Sequence, residues 1–362
     1  MKILIMLNKS EITGPNIVAL TNAGALYQLG CDVRIVFLRK GIDLSKSFSF
    51  LKYARHYTLP EGFFNKVKSL NELVKNFEPE IIHSHCFFPD VFNFLISLNL
   101  KKIKPAVRIT TVHNIPTEDY LIRYGKSKGK LLLLAHDLIL RSFKHVICIS
   151  QYVSDSLTKI DENKKTVIYN PVSDFFNVTS PKPKDKLTII YCGHFTSLKN
   201  PLFIIQVLSS INLEFEFIGL GDGELLSICK EKVHKDKRFK FAGRVNNVYD
   251  YFKKAHCLIH FSQTEGFCLS VAEALSSEMY VISNDLPVFF ELKKYFSANN
   301  FYILDTNENI KDKLKSALYQ IKYNIDSGEK NTIVAHKVKI SLSPLNLASQ
   351  HKVLYTNLFC DN

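Results

Sequence analysis

Short apolar runs alternate with longer segments of helical periodicity along this chain, and the alternation runs through each half of the sequence in turn. Several runs are apolar almost throughout, which is typical of strands buried on both faces of a sheet. Alternating strands and helices predict parallel sheets joined by right-handed crossovers. The predicted strands are residues 2–7, 32–38, 81–85, 107–113 and 145–150 in the first half and 187–193, 215–221, 239–244, 257–262 and 279–284 in the second.

The two halves are separated by the stretch YNPVSDFFNVTSPKPKDK, residues 169–186. Its three prolines and several turn-forming residues are typical of a linker. A chain of 362 residues also exceeds what one hydrophobic core usually serves. We therefore predict an α/β fold with two Rossmann-like, doubly wound parallel-sheet domains, residues 1–172 and 173–344, facing a cleft. A last helix is predicted over residues 341–359.

The charge of the chain is unevenly distributed. The formal net charge is +13, and most of the excess lies in residues 1–172, where there are 24 Lys and Arg against 14 Asp and Glu. Basic surfaces attract the phosphate groups of nucleic acids, lipids or small molecules. Because no zinc-finger or RNA-binding motif accompanies the charge, we predict no nucleic-acid partner. A lysine-rich solvated surface is the alternative interpretation.

Two further features concern the cellular compartment. No apolar run reaches the roughly 18 residues that cross a bilayer, and the first residues lack the long apolar region and cleavage site of a signal peptide. The eight cysteines are scattered without a C-x-x-C pair, which favours reduced thiols over disulfides or a zinc site. We therefore predict a cytoplasmic protein.

Candidate ligand-binding residues lie in the loops after the strands, because doubly wound sheets bind ligands at the carboxyl ends of their strands. Gly14 follows the first strand and would let a ligand approach the backbone, although an ordinary loop glycine fits equally well. His113 follows the fourth strand, and its alternative is a histidine satisfied by neighbouring backbone. Lys199 precedes Asn200 and Pro201 at a predicted helix start, where a lysine beside amides suits a diphosphate; a solvated lysine is the alternative.

The stretch SQTEGFCLSVAEAL, residues 262–275, carries two glutamates eight positions apart. Gly266 and Phe267 are predicted to begin the helix that carries Glu273, so the amides at its amino end could bind phosphate. Ionised carboxylates only accept hydrogen bonds, and they bind pairs of hydroxyls well. We therefore predict that Glu265 accepts from the hydroxyls of a sugar and Glu273 from those of a ribose, with the phosphates of a nucleotide-sugar between them.

These segments resemble the retaining glycosyltransferases of family 4 (glycosyl transferases group 1). TEGFCLSVAEAL resembles the E-x7-E motif of the family, CGHFTSLKNP its G-R-x4-K-N/G loop and FIGLGDGEL its V-G-x-G-P-E segment. FAGRV, VICISQYVSDSL and VIYNPVS match further elements, so the likeness spans nearly the whole chain. The resemblance implies the two-domain GT-B fold, with an acceptor-binding domain first and a nucleotide-sugar-binding domain second. It also implies that the last helix, about residues 345–362, crosses back to the first domain.

The resemblance implies roles for individual residues. Glu265 would contact the donor sugar, Glu273 would hold the ribose, and Lys199 would neutralise the leaving diphosphate. His113 would lie near the transferred sugar, and the base would be read near Arg244. The implied catalytic residues are His113, Lys199 and Glu265, and the implied donor-binding residues are Gly14, Gly193, His194, Lys199, Arg244, Val245, Gly266, Phe267, Cys268 and Glu273.

One position departs from the family pattern, because His194 stands where the family usually has an arginine. Arginine is always charged and forks onto phosphate, whereas histidine is mostly neutral near pH 7. Three explanations stay open: the diphosphate protonates His194, another cation such as Arg244 helps, or donor binding is weak. The departure also favours an alternative function, a non-catalytic nucleotide-sugar- or glycan-binding subunit. A nicotinamide-dependent oxidoreductase is disfavoured because the fingerprint glycines are missing.

The implied reaction transfers a sugar with retention of its anomeric configuration and gives an α-linked product. As the sugar–diphosphate bond breaks, negative charge builds on the departing phosphate, where fixed cations and helix amides can stabilise it. No Asp-x-Asp metal motif is present. We therefore predict neither a metal nor a cofactor, and we favour a UDP-sugar as the donor.

Residues 121–145, LIRYGKSKGKLLLLAHDLILRSFKH, join a cluster of four cations to an apolar helix. This pattern favours a basic edge that binds anionic phospholipid while apolar residues enter the interface; a core helix behind a lysine-rich loop is the alternative. We predict a protein that is peripheral at the inner face of the cytoplasmic membrane. The resemblance implies a lipid-linked glycan acceptor in bacterial O-antigen or capsule synthesis, an undecaprenyl-diphosphate-linked oligosaccharide, with a lipopolysaccharide core as its rival.

Overall fold

The structure is a computed structural model, and it describes residues 1–99, 106–177, 182, 186–306 and 309–361. The chain divides into two compact units, one formed by Met1–Pro171 with Pro344–Asn362 and the other by Val172–Ser343. Each unit contains one parallel sheet and its connecting helices. The predicted α/β class with two parallel-sheet domains is therefore confirmed.

The first unit is built on a sheet of mainly apolar strands. Its strands are β1 (Lys2–Lys9), β2 (Asp32–Arg39), β3 (His56–Thr58), β4 (Ile81–His85), β5 (Val107–Val112), β6 (His145–Cys148) and β7 (Lys165–Val167). The described residues pair in the order β3-β2-β1-β4-β5-β6-β7, and β1 pairs in parallel with both neighbours. Residues 3–7 of β1 are at most 1% exposed, which explains why this central strand is an unbroken apolar run.

The second unit is built on a separate parallel sheet. Its strands are β8 (Leu187–Cys192), β9 (Phe215–Leu220), β10 (Phe239–Gly243), β11 (Cys257–His260), β12 (Tyr280–Asn284) and β13 (Phe301–Leu304). The described residues pair in the order β10-β9-β8-β11-β12-β13. Because β8 runs parallel to both of its neighbours, β9 and β11, the loops after these three strands leave the same edge of the sheet.

Helices connect the strands in both units. They are α1 (Gly14–Gln28), α2 (Phe63–Phe77), α3 (Phe87–Asn99), α4 (Pro116–Arg141), α5 (Gln151–Ser156), α6 (Pro201–Ser209), α7 (Leu226–Lys232), α8 (Val248–Lys254), α9 (Leu269–Ser276), α10 (Pro287–Phe296), α11 (Ile310–Asp326), α12 (Thr332–Ser341) and α13 (Pro344–Cys360). Helix α13 belongs to the first unit, where Lys352 donates to the Leu29 carbonyl at 2.9 Å. No helix in the described part of the chain is long and apolar enough to cross a lipid bilayer.

All ten predicted strands are present, with ends that differ by up to two residues. Three further strands, β3, β7 and β13, were not predicted, and each lies at an edge of its sheet. Edge strands are often short, and three or four residues are too few for a periodicity to show. In the predicted linker, residues 178–181 and 183–185 lie outside the described residues.

Candidate active site

In the second unit two side chains, those of Lys199 and His260, contact one carboxylate oxygen of a third, Glu265. Glu265 lies in the loop after β11, and Lys199 ends a 3₁₀ turn, Ser197–Lys199, after the neighbouring strand β8. Lys199 Nζ donates to Glu265 Oε1 at 2.5 Å, and His260 Nε2 lies 2.6 Å from the same oxygen. The structure thus brings two predicted residues together and adds His260, the last residue of β11.

Burial and mutual attraction set the charges in this cluster. The Glu265 side chain is 8% exposed and that of His260 2%. Burial alone would raise the pKa of Glu265, but the Lys199 ammonium and the His260 ring lower it below its usual value. Burial likewise opposes the charged form of His260, but Cys268 and Glu265 raise its pKa. At pH 7 the cluster therefore holds an ionised Glu265 between two cations, with a net positive charge.

Both hydrogen bonds that Glu265 accepts within the described residues go to Oε1. Its Oε2 therefore keeps the capacity to accept hydrogen bonds from a ligand, as an ionised carboxylate can accept several. Sequence analysis did not identify His260 as a member of the site. The signal was present, since His260 is a polar residue at the carboxyl end of a strand, five positions before Glu265.

Glu273 lies in a different environment from Glu265. It stands on α9, and its carboxyl makes no hydrogen bond or ion pair with the part of the chain that the structure describes. Burial raises its pKa to about 7, because nothing nearby compensates the ionised form. The carboxyl of Glu273 is thus a half-buried acceptor without a protein donor.

The helix that carries Glu273 begins later than predicted. Gly266 and Phe267 were expected to start it, but α9 begins at Leu269. Cys268 has a φ of 69°, a left-handed conformation that cannot continue into a preceding helical turn. Phe267 is 1% exposed and packs inside the unit. The prediction of the helix start is therefore wrong, and the amides at the amino end of α9 belong to residues after Phe267.

The loops after β8 and β9 pack backbone against backbone. A Cβ atom on Gly221, which has a φ of 128°, would lie 2.0 Å from the carbonyl oxygen of Gly193. The amide of Phe195 donates to the carbonyl of Asp222 at 2.7 Å. Gly221 is therefore required by this close approach, which packs the loop after β9 against the loop that carries Lys199.

Asp222, in the loop after β9, contacts two predicted phosphate-binding residues. Its Oδ1 lies 3.1 Å from His194 Nδ1, and its Oδ2 lies 3.5 Å from Arg244 Nη1. All three side chains are about half exposed. Asp222 was not predicted, although an acid between two glycines at a strand end was a visible signal. Val245 follows Arg244 in the chain and is partly buried.

Two predicted residues, Gly14 and His113, belong to the first unit. Gly14 is the exposed first residue of α1, and a Cβ atom there would meet nothing within 4 Å. No steric reason therefore requires a glycine, and its contact with a diphosphate stays a prediction. His113 follows β5, and its Nε2 lies 2.9 Å from Nδ1 of His85, a side chain rather than the backbone partner considered above.

His85 was not identified from the sequence, although it lies in the predicted strand 81–85. It belongs to a buried cluster that also contains His83, whose ring nitrogens lie 2.7 Å from Thr111 Oγ1 and Tyr355 Oη. His83 and His85 are two positions apart on β4, a spacing that places both side chains on one face of the sheet. This spacing was the only available signal. Tyr355 comes from α13 and is distant in sequence, so no local pattern points to it.

A metal ion is a second chemical possibility in the second unit. One ligand atom from each of His260, Glu265 and Cys268 lies within 4.8 Å of the others, and these residue types bind zinc. Lys199, however, already donates to one carboxylate oxygen of Glu265, Oε1. The predicted metal independence stays a prediction.

Family models match both units of the chain. Residues 12–174 match the model for Glycosyltransferase Family 4, and residues 173–329 match the model for Glycosyl transferases group 1. The two matches meet at the boundary between the compact units.

Two similar proteins act in the synthesis of bacterial surface polysaccharides. The O-antigen biosynthesis glycosyltransferase WclY of Escherichia coli is 26% identical over 306 residues, which are 81% of this chain and 82% of WclY. The capsular polysaccharide biosynthesis glycosyltransferase CapH of Staphylococcus aureus is 26% identical over 243 residues, 64% of this chain and 66% of CapH.

The fold is also that of a solved structure. The crystal structure of HepE from Anabaena in complex with UDP-glucose matches with a TM-score of 0.81 at 16% identity, over 99% of this chain and 100% of HepE. At this identity the likeness establishes the fold alone. Together with the matches of both family models, it shows that the chain belongs to glycosyltransferase family 4 and has the GT-B fold.

Proposed function

We propose that this chain is a retaining, metal-independent glycosyltransferase that uses a nucleotide-diphosphate-sugar, with UDP as the favoured nucleotide. The proposed acceptor is a lipid-linked oligosaccharide in O-antigen or capsule synthesis. One observation carries the proposal: Lys199 and His260 converge on Glu265 at the carboxyl edge of the second sheet.

This cluster suits the departure of a diphosphate. Two cations and one carboxylate leave a net positive charge in a buried position, where electrostatic interactions are stronger than in water. Negative charge that develops on the leaving phosphate would be stabilised by Lys199, and Oε2 of Glu265 would accept from hydroxyls of the sugar. Glu273, a carboxyl without a protein donor, would accept from the ribose hydroxyls.

The comparisons support the finer parts of the proposal. HepE was crystallised with UDP-glucose, which favours a UDP-sugar as the donor here. WclY and CapH are described as O-antigen and capsular glycosyltransferases, which favours an acceptor of the same kind. The family resemblance favours retention, and the product of a retaining enzyme would carry an α-linkage when the donor sugar is α-linked.

A donor screen on the full chain tests the proposal. Thermal shifts are measured with UDP-, GDP- and ADP-sugars, because a ligand at 100 times its Kd adds about 2.7 kcal/mol of stability. The best donor is then followed for hydrolysis in wild type, in Glu265→Gln and in the exposed control Glu231→Gln. We expect hydrolysis in wild type and the control and its loss in Glu265→Gln. If no donor gives either a thermal shift or turnover, the proposal is refuted.

Two measurements test the mechanism once a donor is known. The anomeric configuration of the product, read from the NMR coupling constant of its anomeric proton, should equal that of the donor. Turnover after exhaustive EDTA treatment should match that of untreated protein, because Lys199 and His260 supply the positive charge. An inverted product or a loss of activity restored by zinc would contradict these parts of the proposal.

The proposed membrane contact lies on α4 of the first unit. The side chains of Leu131, Leu134 and Leu138 are 54 to 69% exposed, and their spacing places them on one face of the helix. Lys126, Lys128 and Lys130 precede them in the same helix and are also exposed. Exposed leucines beside lysines fit an anionic bilayer surface better than a core helix, which was the alternative interpretation.

Liposome sedimentation tests this surface. Wild type should pellet with vesicles that contain anionic lipid and stay in solution with neutral vesicles. The triple variant Lys126→Glu, Lys128→Glu, Lys130→Glu should lose pelleting, whereas a charge-matched triple variant on α11, Lys311→Glu, Lys313→Glu, Lys315→Glu, should keep most of it. Equal pelleting of the two variants would contradict the placement on α4.

A second candidate function is a non-catalytic subunit that binds the nucleotide-sugar or the glycan. It is favoured by His194, which stands in place of the family arginine and whose ring contacts Asp222. The donor screen separates the two functions. A thermal shift without hydrolysis or transfer, even with a lipid-linked acceptor present, would support the binder.

A further inference from the structure

His85 and His113 share a hydrogen bond between their rings in the first unit. His85 is the last residue of β4 and is 3% exposed, and its strand partner on β5 is Thr111. This register places His113, two residues further along, so that its Nε2 lies 2.9 Å from His85 Nδ1. One nitrogen of the pair must carry the hydrogen atom and the other must accept it.

Both rings are neutral at pH 7, because burial lowers the pKa of His85 and brings that of His113 to about 3. Two arrangements are then possible. In the first, His85 Nδ1–H donates to a bare His113 Nε2, and His113 carries its proton on Nδ1. In the second, His113 Nε2–H donates to a bare His85 Nδ1, and His85 carries its proton on Nε2.

The other nitrogen of His85 decides between these arrangements. His85 Nε2 is buried and has no hydrogen-bond partner among the described residues. In the second arrangement this atom would be an N–H donor buried without an acceptor, which is rare and costs the full desolvation of the group. The first arrangement leaves only a bare acceptor there, a less unfavourable state. The geometry therefore favours donation from His85 to His113.

The ring of His85 is held in place from its other side. The His83 ring stacks on it with centroids 4.3 Å apart and an angle of 29° between the planes. His83 is itself fixed by hydrogen bonds of 2.7 Å to Thr111 and to Tyr355. The His85 ring is therefore already ordered in the ligand-free protein. Its Nδ1–H can donate to His113 without a further loss of side-chain entropy when a ligand binds.

We infer that His85 is a positioning residue that holds His113 in the tautomer with its proton on Nδ1. His113 Nδ1 makes no hydrogen bond with any described residue, so this N–H is available as a neutral donor to an oxygen atom of the ligand. The inference rests on the proposed function only in its last step, where that ligand is the donor sugar. The tautomer itself is a property of the protein alone.

The experiment is a long-range ¹H–¹⁵N NMR spectrum of the ligand-free full chain labelled on histidine, in which protonated and bare ring nitrogens have distinct shifts. His113→Gln assigns its signals. We expect protonated Nδ1 and bare Nε2 for His113 in wild type. A wild-type spectrum with the proton of His113 on Nε2 overturns the inference, whatever the variants do.

Two variants separate positioning from packing. His85→Phe keeps a ring against His83 but removes the donor, and His85→Asn places an amide N–H near the position of Nδ1. We expect mixed tautomers of His113 in His85→Phe and the wild-type tautomer in His85→Asn. Identical tautomers in both variants overturn the inference. Circular dichroism confirms that each variant is folded, and the wild-type spectrum decides the question if His85→Phe is not.

Turnover adds an independent readout. With the best donor, kcat should fall on the order of tenfold in His85→Phe, with rescue in His85→Asn to within about twofold of wild type, as outer hydrogen-bond partners commonly contribute at this level. A normal tautomer pattern without any turnover would contradict the proposed function and leave the positioning role standing. Equal loss of kcat in both variants would overturn the positioning role.

Discussion

The polar clusters of the two units solve the problem of buried ionisable groups in opposite ways. In the second unit Lys199, Glu265 and His260 are charged and compensate one another. In the first unit the rings of His83 and His85 are buried, neutral and joined to hydroxyl and imidazole partners. A charged cluster stabilises developing charge, whereas a neutral one offers directional hydrogen bonds. We therefore expect the stabilities of the two units to change in opposite directions with pH.

The largest predicted effect is selective loss of the first unit in mild acid. The pKa values of four buried histidines, His83, His85, His113 and His351, lie below the ordinary value. The unfolded chain therefore binds more protons, and stability falls as the pH drops below about 6.5. At pH 5.5 each histidine costs about 1.4 kcal/mol, so the four together cost at most about 6 kcal/mol.

The second unit should not weaken over the same range. The raised pKa of Glu273, about 7, means that the folded state takes up a proton and gains stability as the pH falls. The contribution of Glu265, whose pKa is lowered, is lost only below about pH 4.5, and that of His260, whose pKa is raised, is complete below about pH 6.5. Acidification from pH 7.5 to 5.5 should therefore affect the units oppositely.

Hydrogen exchange measured by mass spectrometry at pH 7.5 and 5.5, corrected for intrinsic rates, checks this contrast. Peptides from β4 and β5 should lose protection at pH 5.5, while those from β8 and β11 should keep it. His351→Asn, which preserves a donor to the Leu347 carbonyl, should reduce the loss by about a quarter. Earlier loss of protection in β8 and β11 would contradict the comparison.

The next effect concerns the charged cluster. Lys199→Met removes one of two cations beside Glu265, and a single preorganised electrostatic group is commonly worth 10² to 10³ in kcat, about 2.7 to 4 kcal/mol. We expect that loss in donor turnover, and little change in the exposed control Lys230→Met. The kinetics of donor hydrolysis provide the measurement. A loss of less than tenfold would show that Lys199 is a structural partner of Glu265 and nothing more.

The two glutamates of the second unit sharpen the comparison further. Glu265 stays ionised throughout the physiological range, but Glu273 titrates near pH 7. An ionised carboxylate accepts hydrogen bonds from ribose hydroxyls more strongly than a neutral carboxyl does, so the affinity for UDP should rise by up to about tenfold between pH 6 and pH 8. Glu273→Gln should bind more weakly and lose this pH dependence. Isothermal titration calorimetry in two buffers measures both the affinity and the protons released. If the affinity of Glu273→Gln for UDP depends on pH as steeply as that of wild type, the proposed role of Glu273 in binding ribose is refuted.

Most of the charged cluster could be predicted from the sequence and the neutral cluster could not, for a physical reason. Glu265 and Lys199 lie after strand ends and Glu273 lies on the following helix, and family motifs mark all three. His83 and Tyr355 are 272 positions apart and meet only because α13 returns to the first unit. The strands were predictable because buried strands must be apolar. Pairings between distant polar residues have no local pattern, and neither has the left-handed Cys268 that delays α9.

The smallest predicted effect tests the link between α13 and the histidine cluster. Tyr355→Phe removes the hydroxyl that lies 2.7 Å from His83 Nδ1 and keeps the buried ring in place. A buried hydrogen bond contributes about 1 kcal/mol, so we expect a loss of that size in the free energy of unfolding. Urea denaturation, followed in the first unit by hydrogen exchange, measures it.

Tyr319→Phe is the matched control, because its hydroxyl donates to the Asn212 carbonyl from an exposed side chain in the second unit. Water can replace that partner, so the control should lose less than about 0.5 kcal/mol. If His83 instead found a substitute partner, Tyr355→Phe would match the control, and the stacked ring of His85 would not depend on α13. A larger loss in Tyr355→Phe, accompanied by broadened His85 ring signals, would show that the C-terminal helix helps to orient the pair that positions His113.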